Sequence, residues 1–220
     1  MCPNFIKIFA MNQPRYKNLL FDLGGVIIDL RREACVCAFE RLGMTDAEEQ
    51  FGQYSQQGAF LAFEEGQLSV DEFHAEVRAL LPLGVTDEQI DAAFCEFLVG
   101  IPVHRLRALA CLHERYNMYM LSNTNPIHME KCVKGEFCKD SHDINYYFDS
   151  LVLSYEAKAA KPSEFIFRYV EDTLGIKPEE TLFIDDSQKN LDVASRLGFG
   201  VVLVRPGEEF ADVLKAFAIV

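Results

Sequence analysis

The 220-residue sequence predicts an α/β protein with an open parallel sheet covered by helices on both faces, a Rossmann-like core. Its short apolar runs are continuous, as expected for strands that are buried on both faces. Helical patterns lie between most of these runs, and this alternation favours parallel pairing through right-handed crossovers. One long segment after the first run carries only helical patterns, which indicates a helical insert.

Five apolar runs are the predicted strands. In chain order they are Asn18–Phe21, Met118–Leu121, Leu151–Leu153, Thr181–Ile184 and Gly200–Val204. The helix predicted over Val103–Tyr116 has apolar residues at helical spacing. The helices predicted over Ser163–Leu174 and Gln188–Leu197 each end just before a glycine, the residue that most often follows a helix in the left-handed conformation.

The segment from about Glu33 to Val99 contains no convincing strand pattern. It carries three capping-box patterns, Thr45-x-x-Glu48, Ser69-x-x-Glu72 and Thr86-x-x-Gln89, which are typical of helix starts. We therefore expect three parts. They are an N-terminal extension over residues 1–16, a core over residues 17–31 and 101–220, and the helical insert over residues 32–100. Either Met1 or Met11 could be the start of the protein.

The composition excludes several classes of function. A formal net charge of -13 argues against binding to nucleic acid and to anionic membrane surfaces. No apolar segment approaches the length of a membrane span, and the N-terminus lacks the pattern of a secretory signal. Seven cysteines without metal-ligand or disulfide spacing predict reduced thiols in a cytoplasmic protein. An anionic small substrate then requires a local positive site from a metal, a lysine or backbone N–H groups.

Polar residues follow the first, second and fourth predicted strands, at "FDLGG", "LSNTN" and "FIDDS". Ligands of open parallel sheets bind beyond the carboxyl ends of the strands, so these residues are expected at one rim. Asp22 follows the first strand, and an aspartate with an ordinary pKa of about 4 is ionised at neutral pH. An ionised carboxylate is a nucleophile that needs no general base, although capping of the following turn is an equally open role for Asp22.

Asp185 and Asp186 are adjacent carboxylates, which repel each other unless a cation lies beside them. Together with Asp22 they match the oxygen ligands that Mg²⁺ prefers. The alternative is that one polar residue here caps the helix beginning at Gln188. Capping explains one polar residue but not two carboxylates at the same rim as a third, so the sequence favours a magnesium site.

The remaining rim residues suit phosphate. Ser122 and Asn123 offer a hydroxyl, an amide and backbone N–H groups, although an ordinary strand-to-helix turn would look the same. Lys158 and Lys161 precede a predicted helix in "KAAKPSEFIF". Lysine is a common phosphate partner, and a solvated surface lysine is the alternative for each.

In chain order these four motifs resemble those of the haloacid dehalogenase superfamily, and the resemblance spans residues 18 to about 204. The first motif is "FDLGGVIID", the second "LSNTN", the third the lysine of "AKPSEFIF" and the fourth "FIDDSQKN". The helical insert resembles the C1-type cap of that superfamily. The resemblance implies the superfamily's α/β core and a phosphoric monoester hydrolase activity that depends on Mg²⁺.

The resemblance also assigns roles. Asp22 would attack phosphorus and form an aspartyl-phosphate that water then hydrolyses. Ser122 and Asn123 would contact phosphate, and Lys161 would neutralise the phosphoryl group and orient Asp22. The implied magnesium ligands are Asp22, the carbonyl of Gly24 and Asp186, with Asp185 beside them.

Gly24 departs from the common Asp-x-Asp first motif, whose second aspartate is the general acid and base. Such catalysis is typically worth about 100- to 10,000-fold in rate. A branch with an Asp-Leu-Gly-x-Val motif includes glucose-1-phosphate phosphatases, whose leaving group is less basic than an ordinary alcohol. We therefore expect a phosphatase of small phosphorylated metabolites, sugar phosphates first. Glu64 or Glu65 is a candidate replacement donor, although an exposed acidic turn before Gly66 is the more ordinary interpretation.

Three alternatives stay open on the sequence. A 2-haloacid dehalogenase would also use Asp22, but that branch lacks Mg²⁺ and does not pair carboxylates at its fourth motif, so the paired carboxylates of "FIDDS" argue against it. A phosphomutase would need the missing aspartate at Gly24. A catalytically degenerate binding protein is the third, and Gly24 is the feature that supports it.

Overall fold

The computed structural model describes residues 16–51, 58–217 and 219. Its strands are β1 (Asn18–Phe21), β2 (Asp29–Leu30), β3 (Leu98–Gly100), β4 (Asn117–Ser122), β5 (Ser150–Leu153), β6 (Thr181–Asp185) and β7 (Gly200–Leu203). Five of them form one parallel sheet in the order β5-β4-β1-β6-β7. All five predicted strands are confirmed, with ends that differ by no more than one residue, and the predicted parallel sheet is confirmed with them.

Twelve α-helices surround the strands in the described residues. They are α1 (Arg32–Arg41), α2 (Ala47–Gln50), α3 (Gly58–Glu64), α4 (Val70–Arg78), α5 (Asp87–Cys95), α6 (Val103–His113), α7 (Pro126–His128), α8 (Lys134–Phe137), α9 (Ser154–Ala157), α10 (Glu164–Leu174), α11 (Gln188–Arg196) and α12 (Phe210–Ala216). A π-helical turn over Met129–Val133 joins α7 to α8. None of these helices is long and apolar enough to cross a membrane.

Helices cover both faces of the sheet because successive side chains of each strand point to opposite sides. In β1, Leu19 and Phe21 pack into one apolar cluster with residues of α6 and α12. Leu20 packs into a second cluster with residues of α10 and α11. Since β1 is buried on both faces, it needs the continuous apolar pattern by which it was predicted.

Helices α1–α5 lie within the insert that we propose for residues 32–100, and they enclose an apolar cluster of their own. Its centre is aromatic. Phe63 and Phe73 stack with their ring centroids 4.2 Å apart, and Phe60 contacts Phe73 edge-on at 5.4 Å. This separate cluster lets the insert pack as a helical unit beside the sheet.

Two of the three predicted capping boxes are confirmed, at Ser69 of α4 and at Thr86 of α5. The box predicted at Thr45 is wrong, because α2 begins after Asp46 without a side-chain cap. The carboxylate of Glu48, which would have completed it, instead binds the Arg32 guanidinium. A charged partner on a neighbouring helix thus replaces the local bond.

The short strands β2 and β3 pair antiparallel where the chain leaves the core and returns to it. This pair contradicts the expectation that no strand lies between about Glu33 and Val99, since Leu98 and Val99 belong to β3. Two- and three-residue strands carry no periodic pattern, which is why the sequence did not predict them. The predicted N-terminal extension lies outside the described residues except for Tyr16, which is buried in the core.

Candidate active site

The carboxyl edge of the sheet brings Asp22 and Asp185 side by side. Strands β1 and β6 are parallel neighbours with Phe21 opposite Ile184, so the next residue of each strand lies at the same edge. The backbone N–H of Asp22 donates to the Ile184 carbonyl at 2.8 Å. Asp22, Asp185 and Asp186 each present a carboxylate oxygen within 4.8 Å of the other two. Parallel pairing therefore gathers three carboxylates that two separate motifs contribute.

Lys161 is buried between two of these carboxylates. Its Nζ lies 2.7 Å from Asp22 Oδ1 and 2.8 Å from Asp185 Oδ2, and it also donates to the Leu121 carbonyl at 2.9 Å. Burial alone would lower the pKa of Lys161, but the Asp185 and Asp22 carboxylates outweigh burial and raise it. Lys161 is therefore a fixed positive charge at the carboxyl edge.

Asp185 is held by the start of α11. Its Oδ1 accepts from the backbone N–H of Ser187 at 2.7 Å and from Asn190 Nδ2 at 3.0 Å. Asp185 is fully buried, whereas its neighbour Asp186 is exposed toward the rim. The sequence did not single out Asn190. The one signal for it was an amide in the first turn of the helix that follows "FIDDS".

Burial and mutual repulsion raise the pKa values of two carboxylates in this cluster. Burial raises the pKa of Asp22 to about 7, Asp185 and Asp186 add to that rise, and Lys161 opposes it. Burial and then Asp185 raise the pKa of Asp186 to about 6. Burial thus opposes the ionisation that the ordinary pKa of Asp22 predicts, and a cation beside the carboxylate would favour it.

The donor set fits Mg²⁺, a hard cation that binds oxygen. Three carboxylates around one lysine leave an excess of negative charge, which a divalent cation would offset. Gly25 supports the fit, because its φ of +72° is left-handed and a Cβ there would lie 2.3 Å from Asp186 Oδ2. Only glycine lets Asp186 approach the loop after β1, so the second glycine of "FDLGG" has a steric cause.

Ser122 and Asn123 reach the same edge at the end of β4. Ser122 is buried, and the Asn123 side chain bonds twice to the backbone of Lys161. Asn123 Nδ2 donates to the Lys161 carbonyl at 2.9 Å, and Asn123 Oδ1 accepts from the Lys161 N–H at 2.8 Å. Asn123 thus positions the segment that carries the buried lysine, and the phosphate contact expected of both residues stays a prediction.

A cavity of about 60 Å³ lies between this edge and the insert. Its lining includes Gly24, Leu30, Ser122 and His128, together with Glu64 of the insert. Burial lowers the pKa of His128 to about 4, so this ring is neutral. Lys158 does not reach the cluster, because its Nζ donates to the Gly66 carbonyl of the insert.

Comparisons with known proteins agree on one family. Residues 16–198 match the model of a haloacid dehalogenase-like hydrolase. The chain is 38% identical over 183 residues to D-ribitol-5-phosphate phosphatase of Bacteroides thetaiotaomicron, covering 83% of this chain and 89% of that protein.

Two solved structures share the whole architecture. One is a HAD family enzyme of Bacteroides thetaiotaomicron, the wild-type protein in complex with magnesium and inorganic phosphate. It has a TM-score of 0.85 and 42% identity, covering 90% of this chain and 98% of that one. The other, described as a predicted HAD-like family hydrolase of Porphyromonas gingivalis, has a TM-score of 0.86 and 33% identity, covering 93% and 98%.

Proposed function

This chain belongs to the haloacid dehalogenase-like hydrolase family, and on that premise we propose that it is a magnesium-dependent phosphatase of small sugar or sugar-alcohol phosphates. The observation that carries the proposal is the buried Lys161 between Asp22 and Asp185, with Asp186 within reach of both. The relative named D-ribitol-5-phosphate phosphatase supports the substrate class. The preference for an anomeric phosphate, implied by the first motif, stays a prediction.

Asp22 is the nucleophile in this proposal. Its Oδ1 accepts from the Leu23 N–H at 2.7 Å and lies 2.7 Å from Lys161 Nζ. Both of these contacts fall on Oδ1, so in this proposal Oδ2 attacks phosphorus. The new bond joins Asp22 Oδ2 to phosphorus while the bond from phosphorus to the leaving oxygen breaks. Water then attacks phosphorus and releases inorganic phosphate from Asp22.

The surrounding groups position Asp22 and balance charge, which is most of what phosphoryl transfer requires. Lys161 holds the nucleophile and places a positive charge beside the phosphoryl group. Asp22, Asp186 and the Gly24 carbonyl would hold Mg²⁺, with Asp185 beside them fixed by Asn190. Bound Mg²⁺ supplies charge neutralisation at the phosphoryl oxygens.

The rival interpretations have less support. Asp185 and Asp186 together with Asp22 form a set of oxygen ligands that a 2-haloacid dehalogenase does not need. A degenerate binding protein remains supported by Gly24 alone, while every charged group of the cluster is in place. We also propose a cytoplasmic location, because the cysteines of the described residues are all free thiols.

The test is phosphate release from a panel of sugar phosphates, sugar-alcohol phosphates and p-nitrophenyl phosphate, with Mg²⁺ and with EDTA. We expect release that depends on Mg²⁺ and is lost in Asp22→Asn, because the amide is not a nucleophile. Asp192→Asn is the matched control, since it changes an exposed carboxylate of α11 outside the cluster. No release from any compound by the folded, Mg²⁺-binding protein would favour the binding protein instead.

A further inference from the structure

Gly24 is not required by the backbone or by its neighbours. Its φ lies outside the left-handed region, and a Cβ there would meet only the flexible end of Leu30, at 3.1 Å from Cδ1. Gly25, by contrast, is required on both counts. The glycine at position 24 therefore removes a side chain that the fold could accommodate. A side chain there would point toward Leu30, which lines the cavity beneath the insert.

Glu64 of the insert lines that same cavity. It is the last residue of α3, and its carbonyl accepts from Ser154 Oγ at 2.6 Å. Two residues later the Gly66 carbonyl accepts from Lys158, and a Cβ at Gly66 would lie 2.0 Å from the Tyr155 carbonyl oxygen. The core thus fixes the end of α3 at two points, and Glu64 lies at the cavity that Gly24 also lines.

We propose that Glu64 is the general acid and base of this enzyme, in place of the aspartate that position 24 lacks. The inference rests on the proposed phosphatase function. Protonated Glu64 donates its proton to the leaving oxygen as the bond from phosphorus to that oxygen breaks and the bond to Asp22 Oδ2 forms. The alcohol leaves, and Glu64 is then a carboxylate.

The second half of the reaction restores both groups. Water attacks the phosphorus of the aspartyl-phosphate while the Glu64 carboxylate takes one of its protons. The bond between phosphorus and Asp22 Oδ2 breaks, which releases inorganic phosphate. Asp22 is again a carboxylate and Glu64 is again protonated, so the cycle needs no further reactant.

The surroundings of Glu64 suit a donor. Burial, and next the carboxylate of Glu65, raise the pKa of Glu64 to about 8, so it is protonated at neutral pH. The ionisable groups around it are Glu65, the neutral His128 across the cavity and Lys158, which is bound at Gly66. The interpretation of residues 64–65 as an exposed acidic turn is wrong, because both residues are partly buried.

Glu65 is the matched control. Its carboxylate accepts from Gln67 Nε2 at 2.7 Å. It lines a separate surface depression with Lys158 and Phe165 rather than the cavity beneath the insert. Glu65→Gln therefore makes the same chemical change one residue away from the proposed acid.

The experiment compares Glu64→Gln and Glu65→Gln with Mg²⁺ on two substrates, in the first turnover and at steady state. D-Ribitol 5-phosphate has a basic leaving oxygen that needs a proton, whereas p-nitrophenolate leaves without one. We expect Glu64→Gln to slow release of the alcohol about 100-fold or more, and release of the first equivalent of p-nitrophenolate less than about tenfold. Later turnovers should be slow on both substrates, because water then lacks its base. Glu65→Gln should release the alcohol at nearly the natural rate at neutral pH. Its activity should decline at a lower pH than that of the natural protein, because the Glu65 carboxylate no longer raises the pKa of Glu64.

A second variant keeps the proposal testable if Glu64→Gln alters the fold. Adding Gly24→Asp to Glu64→Gln should recover alcohol release, because the new carboxyl enters the same cavity. Equal loss on both substrates without recovery, or no loss on either, would overturn the role of Glu64. Absence of magnesium-dependent release from the natural protein would instead overturn the proposed phosphatase function.

Discussion

Asp22 shares the carboxyl edge of the sheet with Asp185 and Asp186, and Lys161 is bound between the first two of these carboxylates. Burial removes the water that would otherwise solvate their charges. This loss of solvation disfavours the charged carboxylates and raises the pKa of Asp22 to about 7 and that of Asp186 to about 6. The residues that make the site reactive are therefore expected to destabilise the fold until a cation binds.

We predict that Asp22→Asn stabilises the protein in EDTA at about pH 8, by an amount on the order of 1–4 kcal/mol. The pKa of Asp22 is higher in the folded state than in the unfolded state. Between about pH 4 and 7 the folded state thus binds more protons, and its stability falls as the pH rises. Lys161 keeps Asp185 as its partner in the variant. The advantage should shrink toward about pH 5, where the native carboxyl is protonated.

Thermal and urea unfolding of both proteins across this pH range provide the measurement. Saturating Mg²⁺ should reverse the order, because the natural protein then gains binding free energy that the amide variant lacks. Asp192→Asn is again the control. An amide variant that is less stable than the natural protein in EDTA at every pH would show that Asp22 contributes net stability through Lys161.

At the scale of elements, the hinge formed by β2 and β3 depends on Arg105 of α6. This buried guanidinium donates to the Ile27 carbonyl at 3.1 Å, to Asp29 Oδ1 at 2.7 Å and to Glu209 Oε2 at 2.8 Å. It therefore joins the loop after β1, the first hinge strand and the start of α12. The hydrogen bond from Arg105 is the main cause that lowers the pKa of Glu209 to about 2.

We predict that Arg105→Leu lowers the free energy of unfolding by about 1–3 kcal/mol, since the Ile27 carbonyl and the carboxylates of Asp29 and Glu209 each lose a hydrogen-bond donor. Arg105→Lys is the matched control, which keeps the charge but not the planar fork and should recover part of the loss. The pKa of Glu209 is lowered in the folded state. The ion pair between Arg105 and Glu209 therefore stabilises the fold above about pH 4.5, and this stabilisation declines as the pH falls toward about 2.

Urea unfolding at a series of pH values tests this interpretation. The difference between the natural protein and Arg105→Leu should be largest near neutral pH and should narrow in acid. A difference that stays constant from neutral to acid pH would mean that Arg105 stabilises the hinge by packing rather than through Glu209.

Elements with a repeating pattern could be predicted from the sequence, and elements fixed by single contacts could not. The sheet strands are continuous apolar runs, so β1 and β6 were visible. The hinge strand β3 has three residues and no period. The box at Thr45 failed because Arg32 of another helix binds Glu48. Competition of this kind depends on the tertiary structure.

In the candidate site, too, some residues could be predicted from the sequence and others could not. Asp22, Asp185 and Asp186 lie at the ends of predicted strands. Because parallel strands present their carboxyl ends at one edge of the sheet, the sequence predicted that these residues lie close together. The position of Glu64 depends on how α3 docks on Ser154, which no local pattern encodes. The roles of Asn123 and Asn190 likewise depend on bonds across the fold, to Lys161 and to Asp185.

On the scale of the whole molecule, three polar contacts join the insert to the core beside the site. Lys158 reaches the Gly66 carbonyl, Lys131 pairs with Asp91 of α5, and His128 Nε2 lies 3.1 Å from the Phe94 carbonyl. A formal net charge of -13 disfavours a phosphorylated substrate elsewhere on this surface. We therefore expect a phosphorylated substrate to bind at the carboxyl edge, where Lys161 and a bound divalent cation would supply positive charge.

We predict that Lys158→Met loosens the end of α3 without unfolding the insert, because the Lys158 bond joins two parts that each have an apolar cluster. Amide hydrogen exchange should rise over residues 58–66, while residues of α4 and α5 keep their protection. The KM for a sugar phosphate should rise more than kcat falls, since an insert that opens more readily holds substrate less well.

Lys134→Met, which removes an exposed lysine paired with Glu130 on the core, is the control. Unchanged exchange over residues 58–66 together with a large loss of kcat would mean that Lys158 acts on the phosphoryl group directly and that the insert is held by its other contacts.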